Sequence, residues 1–429
     1  MGKIDLEKLI LFGNVREDAA VCKAVEISGA LYSESSSLSA SDGPVRMYYD
    51  VQRELLSKYE NIRGNRGAKR APTYWKRHIL GLIIGDENAF SLSSERGCFD
   101  NDLIALAAVE IPTLKALYEL DWNRIAAVFG GETSCVANMR PTPAEGESAG
   151  AAPDAVLLTP DANDAARALA EYYSREGCGV LADYAAFRWE TGLVGVRDRD
   201  SVSFDDLIGY ERQKEQIIEN AEFFVSGKPY SNMLLYGDRG TGKSSSVKAL
   251  LNMFRPRGLR LVALPKADID ALPVLTDALA PRGCKFIVFI DDLSFEENET
   301  GYKSFKSALE GSVRSQPANI LVCATSNRRN IIKEVWRERE DRDEINLNDA
   351  LQEKRSLADR FGLTVTFSAP DKSEYLDIVR GLARREGLET DENELTGLAL
   401  QWELRHSGRS GRAARQFVNY MLSRTAFER

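Results

Sequence analysis

The second half of the chain predicts an α/β fold: a parallel sheet flanked by helices, followed by a small C-terminal helical lid and preceded by a mainly helical N-terminal region. Three observations carry this. From residue 204 onward five short apolar runs alternate with polar or helical stretches. Before that point the apolar residues recur at three-to-four spacing, the period of an amphipathic helix. After Pro370 the helical period returns and no further strand-like run occurs.

In chain order, residues 1–195 read as mainly helical, with the pattern strongest in PVRMYYDVQRELLSKYENI and DLIALAAVEIPTLKALYELDWNRIAAVF. Residues 131–163 are rich in Gly, Ala, Pro and Ser and lack periodicity, so they read as a flexible connection. The helical pattern resumes in DAARALAEYYSREGCGVLADYAAFRW. An α/β domain is expected over 204–369, its strands at 232–236, 259–265, 285–290, 319–325 and 363–367. Residues 370–429 hold three helical segments, EYLDIVRGLARREG, ENELTGLALQWELR and RAARQFVNYML, and form the lid.

With 429 residues the chain has room for two or three domains. Its 43% hydrophobic and 28% charged residues are ordinary for a globular protein, and the net charge of −9 speaks against a surface that coats nucleic acid throughout. Six cysteines form no CxxC pair and only two histidines occur, which disfavours a zinc site and fits a reduced compartment. The start, MGKIDLEKLILFGNV, makes a poor signal peptide, and Leu6 stands where myristoylation wants Ser or Thr. The longest apolar stretch, ILGLIIG, is too short to span a bilayer. A cytoplasmic protein without membrane attachment is expected.

One segment carries the chemistry. Gly237, Asp238, Arg239, Gly240, Thr241, Gly242, Lys243 and Ser244 satisfy GxxxxGK[ST], between an expected strand and the expected helix SSSVKALLNMF. Glycines permit positive φ, so successive N–H groups can converge on phosphate oxygens, joined by those of Ser244 and Ser245 at the positive end of the helix. Lys243 is placed to bridge the β- and γ-phosphates, and the Ser244 hydroxyl to join a Mg²⁺ shell. A second element fits the first. KFIVFIDDLSF ends a core strand in two carboxylates, of which Asp291 suits Mg²⁺, partly through water, and Asp292 suits orienting the attacking water. The implied cofactors are ATP and Mg²⁺.

Taken with SFDDLIGYERQKEQI, ILVCATSNRRN, DRFGLTVTFSAPDKSEYLDIV and SGRSGRAARQFV, these motifs make the stretch from Phe204 to the C-terminus resemble an AAA+ ATPase. It is most similar to the bacterial AAA+ proteins known only as an ATP-binding domain of unknown function. The resemblance implies that Ile208, Gly209 and Tyr210 line the base pocket. It implies that Asn327 is the polar sensor that positions the attacking water, and that Arg412 is the lid arginine sensing the nucleotide, with Arg409 and Arg415 as alternatives. Arg360 matches the arginine presented in trans to a neighbour's γ-phosphate, with Arg355 as the alternative; that role implies a homo-oligomer. One departure is Asp292, where most members carry Glu; the shorter carboxylate implies slow turnover, with Glu296 and Glu297 close enough in sequence to contribute.

The remaining segments narrow the function. No NKxD motif argues for GTP, and no aromatic pore loop follows the second strand, where PKADIDALPVL stands. A later loop and helix carry Phe295, Tyr302 and Phe305. The stretch 61–78, NIRGNRGAKRAPTYWKRH, interleaves six Lys and Arg residues with Tyr74 and Trp75, the one foothold for nucleic acid. The expectation is an oligomeric ATPase that couples nucleotide state to remodelling or assembly of an unknown protein client. The alternatives are an ATP-gated scaffold with little hydrolysis, or a helicase-loader-like DNA-associated ATPase.

Overall fold

The computed structural model describes residues 4–32, 42–58, 73–129, 135–140, 153–197, 201–294, 305, 309, 317–327, 360–388, 390–406 and 408–427. The chain divides into two units, Met1–Ala185 with Arg282–Cys284, and Ala186–Pro281 with Lys285–Arg429.

The first unit is helical. Its long helices Ala19–Tyr32, Asp42–Ser57, Tyr74–Ile84, Asn101–Tyr118 and Ala162–Glu176 turn apolar faces into one core that includes Phe12, Trp75, Ile111 and Tyr173. Two buried carboxylates fix its N-terminal segment. Glu110, fully buried, accepts the backbone N–H groups of Ile10, Leu11 and Phe12 at 3.0–3.3 Å. Asp18 faces His78 at 3.0 Å and accepts from Lys58 at 2.8 Å. Burial alone would raise the Asp18 carboxyl, but the hydrogen bonds from His78 and Lys58 outweigh it and hold the group well below the usual carboxylate range. A depressed folded-state pKa stabilises the fold above the unfolded value, about 4, and that stability is lost as pH falls toward the folded value. Acidification from pH 6 to pH 2 is therefore expected to cost the wild type about 2–3 kcal/mol more than Asp18→Asn. Urea melts of both chains at the two pH values check this.

The basic stretch behaves differently from its sequence reading. Residues 61–72 lie outside the described residues, while Tyr74, Trp75 and Arg77 are at most 2% exposed. Trp75 donates its indole N–H to the Leu117 carbonyl at 2.7 Å, so neither aromatic ring is available to stack on a base. The expected flexible connection is likewise interrupted: Pro153–Leu158 is a helix, and Asp161 caps the helix that starts at Ala162. Residues 131–134 and 141–152 lie outside the described residues.

The second unit holds a seven-stranded sheet. Its strands are β1 (Ala186–Trp189), β2 (Leu193–Gly195), β3 (Met233–Gly237), β4 (Leu259–Ala263), β5 (Lys285–Ile290), β6 (Ile320–Ser326) and β7 (Leu363–Phe367). The order is β2-β1-β4-β5-β6-β3-β7, parallel throughout except for the β1–β2 hairpin. β5 and β6 are apolar and buried along nearly their whole length, as strands covered on both faces must be.

The described residues of 1–195 are mainly helical as expected, and β1 and β2 correct that reading only over 186–195. Gly177, at φ 81°, ends the helix Ala162–Glu176, and Gly179, at φ 61°, starts a single further turn, Val180–Asp183. Ala186, Phe187 and Trp189 are then buried and Arg188 points outward, and Ala186 pairs with Leu261 of β4. That pairing spans some seventy residues of sequence, so no local pattern announces it.

Three C-terminal helices, Lys372–Arg385, Glu392–Arg405 and Gly411–Phe427, pack around Tyr375, Val379, Ala399, Ala414 and Phe417. Asp371 caps the first through a full capping box with Glu374. Among the described residues no helix is long and apolar enough to cross a membrane.

Candidate functional site

Because β3, β5 and β6 run parallel and adjacent, their C-terminal ends open on one edge of the sheet, where ligands of such sheets bind. β3 delivers the glycine loop. Gly237, Gly240 and Gly242 take φ of 135°, 75° and 95°. A Cβ on Gly237 would lie 2.0 Å from the Phe367 carbonyl oxygen, so the loop leaves the sheet through a gap that only glycine fits. The helix Lys243–Phe254 follows, with its first-turn N–H groups turned to the loop.

Lys243 is buried at the loop's centre. Its Nζ donates to the carbonyls of Gly237 (2.9 Å) and Asp238 (2.7 Å) and to Asn327 Oδ1 (3.2 Å). Burial lowers its pKa, and the nearby carboxylates of Asp238, Asp291 and Asp292 only partly offset that. An ammonium held among backbone carbonyls without a directly bonded carboxylate suits an anionic ligand.

The acidic strand end meets it from β5. Ser244 Oγ donates to Asp291 Oδ1 at 2.7 Å, and Thr325 Oγ1 donates to the same oxygen at 2.5 Å. Thr325 Oγ1 in turn accepts the Asp292 N–H at 2.9 Å. Asn327, just past β6, donates its amide to Asp292 Oδ1 at 2.6 Å. Asp292 sits at φ 53°, a left-handed conformation that costs a non-glycine residue about 1 kcal/mol or more. Hydrogen bonds to both its backbone and its carboxylate hold it there. The expected phosphate, metal and water-orienting residues thus meet in one bonded network.

A cleft of about 1000 Å³ opens over this network. Arg239, Thr241 and Ser245 line it on the loop side, with Ile208 and Tyr210 on another wall. Gly209, at φ 81°, and Tyr210, at φ 60°, turn the chain there through two successive left-handed residues. Opposite stand the C-terminal helices, contributing Ile378, Leu382, Arg385 and the face bearing Arg412, Arg415, Gln416 and Asn419. Asp206 is ion-paired to Arg385. Burial opposes that charge, yet bonds from Ser203 and Arg385 lower the Asp206 pKa.

The three arginine candidates of the lid separate. Arg409 pairs with Glu403 at 2.8 Å and does not line the cleft. Arg415 lines it but lies 3.7 Å from Glu386. Arg412 lines it with no ion pair among the described residues, and its backbone N–H donates to the Gly240 carbonyl at 3.2 Å.

Gly209, Gly237 and Asp238 do not line the cleft. Asp238 is a brace: its N–H donates to the Phe367 carbonyl at 2.9 Å and its Oδ2 accepts the Ala369 N–H at 2.6 Å. Tyr210 adds a third tie, from its hydroxyl to the Ser368 carbonyl at 2.8 Å. Arg360 is exposed on the turn before β7 and outside the cleft. Arg355, Phe295, Tyr302, Glu296 and Glu297 lie outside the described residues, and Phe305 is fully buried. Sequence reasoning missed Thr325, Asp206, Arg385, Gln416 and Asn419. Thr325 left one signal, a hydroxyl inside the apolar run ILVCAT.

Residues 182–425 match the family described as protein of unknown function DUF815. The chain belongs to that family. The match begins just before β1 and so takes in the whole sheet and the C-terminal helices of this DUF815 member. A mitochondrial AAA-ATPase of Arabidopsis thaliana is 25% identical over 170 residues, 37% of this chain and 36% of that protein. Among solved structures, the Thermotoga maritima RuvB Holliday junction branch migration motor has a TM-score of 0.35 at 18% identity, covering 51% of this chain and 63% of that one. A point mutant of the same RuvB gives 0.35 at 17%, with 51% and 64% covered. The chain therefore spans about a third of the curated relative and under two thirds of the RuvB chains. The family match and the AAA-ATPase relative support the AAA+ resemblance that the motifs gathered at the strand ends carry.

Proposed function

We propose that this DUF815 protein binds Mg-ATP in the cleft and hydrolyses it slowly, as an oligomer that couples nucleotide state to remodelling or assembly of a protein partner. The observation that carries the reading is the bonded chain Ser244–Asp291–Thr325–Asp292–Asn327 beside Lys243 at the mouth of the glycine loop.

The donor set fits the implied metal. Ser244 and Asp291 set two hard oxygen donors beside the loop, the ligand type Mg²⁺ takes, and they would hold it there. When bound, Mg²⁺ neutralises phosphate charge. The chain's own groups do the rest. The loop N–H groups and Lys243 grip the phosphates. Asp292, oriented by Asn327, aligns the attacking water and accepts its proton. Arg412, borne by the helix that touches Gly240, answers the charge that develops on the phosphate, and Arg360 of a neighbouring copy adds to it. The Asp292 side chain is one methylene shorter than the usual Glu, which supports slow turnover.

Asp292→Asn is expected to lower kcat at least about a hundredfold, as loss of a positioned base does, while ATP affinity stays near wild type. Steady-state phosphate release and a binding isotherm on both chains check it; equal turnover would remove Asp292 from the reaction. A second reading, an ATP-gated scaffold, draws on the Asn327 bond that already occupies Asp292 Oδ1. Saturable ATP binding with no phosphate release at high protein concentration would select it.

A further inference from the structure

We infer that Gln416 and Asn419, on the last C-terminal helix, read the base of the nucleotide and make the site select adenine over guanine. The inference rests on the nucleotide reading of the cleft. Along helix Gly411–Phe427, Arg412, Arg415, Gln416 and Asn419 recur at the spacing of one helix face, and all four line the cleft. The direction of that face is fixed at its start. The Arg412 N–H bonds the Gly240 carbonyl, and a Cβ on Gly240 would lie 3.1 Å from Arg412 Cβ. The helix therefore runs outward from the phosphate loop. At a rise of about 1.5 Å per residue, Gln416 stands about 6 Å and Asn419 about 10.5 Å beyond Arg412 along the axis.

The face changes chemistry along this course, from two guanidiniums near the phosphate loop to two neutral amides farther out. A nucleotide makes the same change from phosphates to base. The same cleft has an apolar wall: Ile208 seats against Gly381, where an added Cβ would meet Ile208 Cδ1 at 2.5 Å, and Ile378 and Leu382 also line it. A flat heterocycle suits that wall, and the Asp206–Arg385 ion pair ties its two sides together. Gln416 and Asn419 are exposed to the cleft, and their side-chain amides bond no other group among the described residues.

An amide presents one donor and one acceptor side by side. On its N6/N7 edge adenine offers the complement, an amino donor next to a ring-nitrogen acceptor, whereas guanine presents two acceptors there, O6 and N7. Backbone groups alone could not be tuned by substitution; these side chains can.

The test measures binding of ATP, GTP and inorganic tripolyphosphate to the full chain. Wild type is compared with the doubly substituted Gln416→Leu/Asn419→Leu and with the near-isosteric Asn419→Asp. Wild type is expected to prefer ATP by about tenfold or more, the discrimination one bidentate amide supplies. The double variant should bring the ATP/GTP ratio to within about threefold of unity with tripolyphosphate affinity unchanged, and Asn419→Asp should fall between. A double variant that keeps the wild-type ratio, or a wild type without an ATP preference, overturns the inference and leaves the phosphate site standing. A wild type that binds none of the three overturns the nucleotide reading itself.

Discussion

Lys243→Ala is expected to weaken ATP binding by about a hundredfold or more and to abolish turnover. A charge-assisted hydrogen bond is worth about 1.5–3 kcal/mol, and two of them to phosphate oxygens give the hundredfold at their lower bound. The lower bound is appropriate because the ammonium must give up bonds to the Gly237 and Asp238 carbonyls. The same substitution carries a second expectation of opposite sign. Burial depresses the Lys243 pKa, so the unliganded fold disfavours this charge at neutral pH. The alanine variant should therefore melt no lower than wild type without nucleotide, and should lose the upward shift that ATP gives wild type. Calorimetric titration and thermal melts with and without ATP separate the two effects. An unchanged Kd would remove the phosphate assignment.

Arg360→Ala should reduce kcat by about 10³–10⁵ while leaving ATP affinity close to wild type, the range for an arginine that reaches a neighbour's phosphate. Its position is the reason: exposed before β7 and outside the cleft of its own chain. The decisive measurement is mixing. Lys243→Ala supplies an intact arginine and Arg360→Ala an intact phosphate loop, so an equimolar mixture should regain turnover that neither has alone. Wild-type turnover per subunit should also rise with protein concentration. A rate that stays flat on dilution, with no recovery on mixing, would exclude a shared site.

Much of the site was legible because it is local. The glycine loop, Lys243 and Ser244 occupy one contiguous stretch, and Asp291 and Asp292 end an apolar strand whose burial its composition announces. What escaped depends on contacts between distant segments. β1 is a four-residue strand whose partner, β4, lies far along the chain, and it follows a strong helical pattern. Tyr74 and Trp75 resembled a stacking surface because cations flank them, yet their rings belong to a helical core. Gln416 and Asn419 are unremarkable polar positions on an amphipathic helix. Only the docking of Gly411–Phe427 against Gly240 turns them toward the cleft.

The ties at the end of β7 have a mechanical consequence. Phe367 is held through its carbonyl by the Asp238 amide, Ser368 through its carbonyl by the Tyr210 hydroxyl, and Ala369 through its amide by the Asp238 carboxylate. Three successive residues are thus stapled to the walls of the phosphate site, and the next helix is already capped at Asp371. Any rigid swing of the C-terminal bundle at this junction turns on the few backbone bonds between Ala369 and Asp371, one of which the Pro370 ring fixes and another of which it restricts. A linkage of so few turning bonds beside the phosphate loop makes a short, stiff crank.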